Sequence, residues 1–216
     1  MNWSRILLAT ANQDKVTEMS SLLKDFDIHV LSINDLKKYP HVEEDQPTLK
    51  ANAVKKAVEF KKSTGLPSLA DDTGLLVDAL DGAPGVYSAR YAGPSATYDD
   101  NVDKLLEKLS GIPFEARCAR FKTVMALAYD DNVETGGIKK VEAKVETKVE
   151  TVEGVCEGYI LDSRRGAGGF GYDPVFYVPG LEKTFAEMRL PEKNKISHRG
   201  LALKKIKAIL QNKLGA

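Results

Sequence analysis

Apolar positions recur along this chain in two rhythms, one helical and one extended. Ile6-Leu7-Leu8-Ala9 is a continuous apolar run of strand length and predicts a short buried strand. The polar stretch Thr10-Ala11-Asn12-Gln13-Asp14-Lys15 follows as a loop. Val16, Met19, Leu22, Leu23 and Phe26 then recur at spacings of three and four, the mark of one helix face. Ile28 to Ser32 reads as a second strand, and the acidic stretch 33–47 as loop. Thr48 opens a second helix, which Gly65 and Pro67 close. Leu69-Ala70 predicts a short strand leading into Asp71-Asp72-Thr73-Gly74, with another strand from Leu75 to Leu80 and a turn cluster from Asp81 to Gly85. Thr97 and Asp100 have capping-box spacing. The helix behind them carries Val102, Leu105, Leu106 and Leu109 and stops at Gly111 and Pro113.

From residue 116 the extended rhythm takes over. Ala116 to Tyr129 is rich in strand formers, and Asp130 to Gly137 reads as a turn. From Val141 to Thr151, odd positions are Val, Ala or Thr and even positions Glu or Lys, which predicts a strand with one wet face. Val155 to Leu161 predicts a further long strand. A Gly-rich loop covers 163–174, and Val175 to Val178 reads as a strand. Thr184 and Glu187 repeat the capping-box spacing, and a final helix over about 198–213 carries Leu201, Ile206, Ile209 and Leu210. Helical units alternating with strands, followed by long hairpins, predict an α/β fold with a mixed sheet. No linker or shift in composition divides the chain, so a single domain over 1–216 is expected.

Composition narrows the classes of function. Lys plus Arg and Asp plus Glu both number 31, and this zero net charge argues against a protein that coats nucleic acid or a membrane surface. Two cysteines, Cys118 and Cys156, and three scattered histidines are too few for a His/Cys metal cluster. Any metal would be a hard ion held by oxygens. The run Ile6–Ala9 is shorter than the roughly 7–15 apolar residues of a secretory segment. No stretch reaches the roughly 18–20 needed to span a membrane. The expected compartment is the cytoplasm, with no membrane partner.

Several constellations carry candidate chemistry. Strand, Thr10-to-Lys15 loop and helix together offer free backbone amides and a positive dipole end, as an anion cradle does; an ordinary capped turn has the same pattern. Along an extended Asp71-Asp72 pair the side chains point to opposite faces, so one carboxylate can hold Mg²⁺ or activate a water while the other is structural. Glu43-Glu44-Asp45 offers three acids in a loop, either cation ligands or a solvated charge run. Residues 166–171 match G-x-G-x-x-G, but Asp173-Pro174 and a strand follow where a dinucleotide fold needs a helix, and that reading is rejected. What remains is Phe170 between glycines, free to stack on a flat ring or to tuck inwards. From Lys193 onwards the sequence holds seven lysines and arginines and no acid, with Lys193, His198 and Arg199 around the start of the last helix. Phosphate donors, a hard-metal carboxylate and a stacking ring together point to a nucleotide-binding hydrolase or transferase.

Thr10-x-Asn12-x-x-Lys15, Ala70-Asp71-Asp72-Thr73-Gly74-Leu75, Gly82-Ala83-Pro84-Gly85-Val86-Tyr87-Ser88-Ala89-Arg90-Tyr91, Phe170-Gly171-Tyr172-Asp173-Pro174 and Ile196-Ser197-His198-Arg199 stand in one order over nearly the whole chain. In that order they resemble the inosine triphosphate pyrophosphatase family. The resemblance implies an elongated mixed β-sheet flanked by helices, in two lobes with a nucleotide cleft between them. It implies Mg²⁺-dependent cleavage of non-standard purine triphosphates (ITP, dITP, XTP) to monophosphate and pyrophosphate, by a homodimer. By position, Thr10, Ala11, Asn12, Gln13, Asp14 and Lys15 would cradle the phosphates. Asp72 would be the catalytic carboxylate at Mg²⁺, with Glu43 as supporting ligand, and Thr73 would contact substrate through its hydroxyl. Phe170 would stack on the purine and Gly171, Tyr172 and Asp173 line the base pocket. Lys193 would reach the phosphates, and His198 and Arg199 would read the base.

The chain departs from the family pattern in three places. Thr73 replaces a frequent Ser, keeping the hydroxyl. Ala51 stands where relatives commonly carry Glu. The 134–153 hairpin is longer and more charged than expected. Ala51 and the acid-free C-terminal segment keep a second class open, a nucleotide- or nucleic-acid-binding module without catalysis. A triphosphatase releasing orthophosphate would share the same site.

Overall fold

The computed structural model describes residues 3–130 and 146–214. Among the described residues a seven-stranded sheet runs in the order β2-β1-β3-β4-β5-β6-β7. β1 (Arg5–Leu8) lies parallel between β2 (His29–Ser32) and β3 (Ser68–Val77). β3 to β7 run antiparallel in succession: β4 (Cys118–Asp130), β5 (Thr147–Ile160), β6 (Phe176–Val178) and β7 (Lys183–Thr184). The mixed α/β sheet expected from the sequence is present. Its parallel part comes from the α1 (Gln13–Leu23) and α2 (Leu49–Thr64) crossovers, and its antiparallel part from the long hairpins.

The apolar runs are continuous because helices cover both faces of the sheet. On one face Leu7, Ala70, Val124, Ala126 and Ala128 pack with Ala53, Ala57 and Phe60 of α2. On the other, Ile6, Leu8, Met125 and Leu127 pack with Met19 and Leu23 of α1 and Ala202, Leu203 and Ile206 of α5 (His198–Leu214). Towards the opposite end of β3 a third cluster joins Leu75 and Val77 to Val102 and Leu105 of α3 (Tyr98–Lys108) and to Phe121, Phe176 and Phe185.

Three elements differ from the sequence reading. β3 runs unbroken through Asp71-Asp72-Thr73-Gly74, paired residue by residue with β4, and 78–80 form a 3-10 turn instead of strand. The polar tetrad stays in the strand because its side chains find buried partners. α4 (Leu190–Ile196) was not anticipated, since Pro191 and its lysines leave no apolar stripe. β5 joins the two strands expected on either side of Gly154 into one. Residues 131–145, which hold the expected turn and the first part of the charged hairpin, lie outside the described residues. No helix among the described residues is long and apolar enough to cross a membrane.

Gly154 sits in mid-strand because the start of α5 lies directly on it. A Cβ there would fall 2.0 Å from the His198 carbonyl oxygen and 2.6 Å from the Ala202 nitrogen. Both obstacles are backbone and cannot rotate away. Gly154→Ala is expected to destabilise the fold by about 1–3 kcal/mol, the usual range for overpacking. A thermal melt would read this as a Tm lower by roughly 2–12 °C for a chain of this length.

Candidate functional site

Asn12 builds the first wall. It caps α1, its side-chain oxygen accepting from the amides of Asp14 at 3.0 Å and Lys15 at 3.2 Å. The Asn12 amide donates to Thr10 Oγ1 at 3.2 Å, closing the loop on itself. The helix dipole therefore points its positive end into the cavity that Asn12 and Lys15 line. Thr10, Ala11, Gln13 and Asp14 shape this loop without lining the cavity. The Ala11 carbonyl accepts from Asn34 and the Asp14 carboxylate faces Tyr98.

β3 supplies the second wall, and its pleat separates the two aspartates as expected. Asp71 turns towards α1 and α5, pairing with Lys15 at 3.0 Å and Arg199 at 3.4 Å. Burial opposes its ionisation, but the charges of Lys15, Arg199 and Lys56 outweigh it and hold the carboxyl well below its ordinary range. Asp72 turns towards α2 and lines the cavity. It accepts from Asn52 Nδ2 at 3.1 Å and lies 3.9 Å from Lys56 Nζ. Burial, reinforced by the Glu44 carboxylate, outweighs Lys56 and Lys15 and pushes Asp72 up to about 6. One aspartate is thus a fixed anion and its neighbour a poised base.

Glu44 faces this space from the acidic loop. It pairs closely with Lys56, and the Glu44 carbonyl accepts from Arg90 at 2.8 Å. Glu43, the expected supporting ligand, is not among the residues that line this cavity. Glu43 lines a separate surface hollow with His41, Lys55 and Glu59, because neighbouring residues of this extended loop face opposite ways. Among the described residues no three His, Cys, Asp or Glu side chains gather to hold a metal. Asp72 and Glu44 offer two carboxylates, the number Mg²⁺ takes from protein when phosphate and water complete its shell.

The third wall comes from the Gly-rich loop. Gly169 has φ +72°, and a Cβ there would meet the Asp173 carboxylate at 2.0 Å. That carboxylate accepts from the Phe170 amide at 2.9 Å and from Lys193 at 2.7 Å. Phe170 is half-buried and lines the cavity, with Lys193 Nζ 4.9 Å and Arg199 Cζ 5.5 Å from its ring centre. Tyr172 is tucked in, donating to the Ser88 carbonyl at 2.9 Å. Gly171 and Asp173 line the same cavity.

Beneath these walls lies a buried charge network. Glu18 holds Lys193 at 2.8 Å and pairs closely with Arg199. Arg199 also donates to Thr73 Oγ1 at 3.2 Å, so most of its donors are already engaged. Lys193 is held between Glu18 and Asp173, over the Phe170 ring. His198 stacks on Phe121 at 4.5 Å, and its Nδ1 has no hydrogen-bond partner although the ring lines the cavity. Burial first, then the charges of Arg199 and Lys193, lower its pKa well below the usual value and keep it neutral.

Sequence reasoning missed Glu18, Asn52, Lys56 and Tyr98, and within the acidic loop it singled out Glu43 where Glu44 lines the cavity. Two signals were available. Glu18 follows Lys15 by three residues and so shares its helix face. Asn52 and Lys56 stand four apart among the apolar residues of α2, polar groups on a buried stripe.

The Ham1 family model matches residues 6–209. A dITP/XTP pyrophosphatase of Desulforamulus reducens is 48 % identical over 206 residues, covering 95 % of this chain and 95 % of that protein. One from Geobacter sulfurreducens is 45 % identical over 212 residues, covering 98 % and 97 %. Among solved structures, the Staphylococcus aureus Ham1 protein superposes with TM-score 0.79 at 37 % identity, covering 97 % of this chain and 99 % of that one. A HAM1 protein from Coxiella burnetii gives TM-score 0.79 at 41 % identity, covering 96 % and 98 %.

Proposed function

The chain belongs to the Ham1 family, and on that premise we propose that it hydrolyses non-standard purine nucleoside triphosphates to the monophosphate and pyrophosphate. The observation that carries this reading is Asp72. Its carboxylate, raised to about 6, faces a cavity with an anion-binding helix start on one side and Phe170 on another. A triphosphate laid from the Asn12–Lys15 loop towards Phe170 would pass the cavity wall that carries Asp72, where a water held by that carboxylate could attack. The water oxygen bonds to the α-phosphorus, the α–β bridging bond breaks, and the water proton passes to the Asp72 carboxylate. Lys15 and the dipole of α1 stabilise the charge gathering on the phosphates.

Asp72 and Glu44 would hold Mg²⁺ here, two oxygen donors facing one space with burial and mutual repulsion raising the Asp72 pKa. Bound there, the ion would supply charge neutralisation of the triphosphate. Lys56 keeps Glu44 ionised, since its ammonium outweighs the cost of burying that carboxylate. At the base, the unpartnered Nδ1 of neutral His198 is a polar atom waiting for a purine edge. A base that fills it is retained, and one that leaves it unpaired loses the buried hydrogen bond.

The purified protein with Mg²⁺ is offered ITP, dITP, XTP, GTP and ATP separately, and the products are resolved by phosphorus NMR. Pyrophosphate with IMP from ITP, ATP being spared, is the expected result. Orthophosphate with a diphosphate would overturn the cleavage position, and no turnover of any of the five would overturn the reaction. The pH profile gives a further expectation. Asp72 works ionised, so kcat/KM should rise through about pH 6 and fall away on the acid side. Protons and Mg²⁺ compete for the same carboxylate, so the limb should move to lower pH as Mg²⁺ is raised. A limb that ignores Mg²⁺ would remove Asp72 from the metal.

A further inference from the structure

Tyr98, outside every motif above, reaches both halves of the site. It is the first residue of α3, where the Thr97–Asp100 capping box fixes the helix start. Its hydroxyl accepts from Asn12 Nδ2 at 2.8 Å and lies 3.5 Å from Asp14 Oδ2. Its ring packs on Phe170 with centroids 5.9 Å apart and planes tilted by 40°. The side chain lines the cavity yet is 43 % exposed, so the core does not depend on it. The same stretch of α3 meets the Gly-rich loop again, where Arg164 bridges Asp103 at 2.8 Å and Asp99 at 3.5 Å.

Each contact removes a freedom that matters. Asn12 caps α1 only while its oxygen faces the amides of Asp14 and Lys15. Rotated by half a turn, its NH₂ would meet two N–H donors. Tyr98 accepts from that NH₂ and so locks the capping orientation. Phe170 sits between glycines with Lys193 and Arg199 near one ring, and Tyr98 bounds its swing from a separate element. We infer that Tyr98 is a positioning residue that sets the phosphate loop through Asn12 and the stacking ring through Phe170, so that one side chain aligns both ends of the substrate. The inference rests on the nucleotide reading of the preceding subsection.

The test compares wild type, Tyr98→Phe and Tyr98→Ala in ITP hydrolysis, with pyrophosphate and inosine as separate inhibitors and Tm measured alongside. Wild-type turnover of ITP decides the nucleotide reading by itself, before any variant is considered. Tyr98→Phe keeps the ring and loses the hydroxyl. It should weaken pyrophosphate inhibition about three- to tenfold and leave inosine inhibition unchanged. Tyr98→Ala should weaken both and raise KM for ITP by about tenfold, with a smaller change in kcat and Tm within about 2 °C. An unchanged KM in Tyr98→Ala would overturn the inference. So would full recovery of pyrophosphate inhibition in Tyr98→Phe, which would make the hydroxyl irrelevant. A fall in Tm that accounts for the lost activity would overturn it as well, making Tyr98 a part of the fold.

Discussion

Asp72→Asn should lose about 10³-fold in kcat while folding as well as the wild type or better. The loss follows from removing the proton acceptor, a role that contributes roughly 10²–10⁴-fold. The retained fold follows from the geometry. An amide oxygen at the same place still accepts from Asn52, whose bond to Asp72 is 3.1 Å. The gain follows from the charge. Asp72 is raised from 3.8 to about 6, so keeping it ionised at neutral pH costs the folded state about 1–3 kcal/mol. The sign is that of a raised acid: the cost is present above pH 6 and disappears as falling pH protonates the group. Steady-state kinetics and a thermal melt on one preparation check both halves. Near-wild-type kcat would remove Asp72 from the chemistry, and a large drop in Tm would make it a structural residue.

Glu18→Ala should act in the opposite way, costing about 3–5 kcal/mol of stability. Glu18 is 4 % exposed and holds both Lys193 and Arg199, which are themselves buried. Its loss leaves Lys15, Lys193 and Arg199 facing Asp71 and Asp173, and burial already raises the Asp173 pKa. A chain of this length should lose roughly 6–20 °C in Tm. Burial opposes the Glu18 charge, but Arg199 and Lys193 outweigh it and lower its pKa from 4.5. Its contribution is therefore full above pH 4.5 and lost as pH falls below, so the gap between variant and wild type should close in acid. A gap independent of pH would mean that Glu18 acts by packing alone.

The parts of the fold legible in the sequence were those with local causes. α2 could be read from Thr48 to Gly65 because its cap, its stripe and its stop are all sequence-local. The capping boxes at Thr97–Asp100 and Thr184–Glu187 formed for the same reason. β3 was divided in two because Asp71-Asp72-Thr73-Gly74 resembles a turn until Lys15, Arg199 and Asn52 arrive from elsewhere to satisfy it. The need for a glycine at 154 had no local sign, because the helix backbone that requires it lies more than forty residues onward. Within the site, the alternation of Asp71 and Asp72 was legible, since it follows from pleating alone. Glu43 and Glu44 alternate too, but nothing local told which of them faced inward. Tyr98 carried no signal at all, since its partners stand at residues 12 and 170.

The unbroken pairing of β3 with β4 has a consequence for heredity. Ten successive residues of β3 are matched to partners on β4. A slip by one place would carry Asp71 to the position of Asp72 and Asp72 to that of Thr73, turning each aspartate to the other face of the strand. Deleting one codon before Asp71 would leave every reactive residue in the translated chain and still scramble their assignments. This strand should therefore tolerate changes of letter far better than changes of count. A library of single-residue deletions and insertions across 68–77 should lose activity throughout, while conservative replacements at its apolar positions keep it.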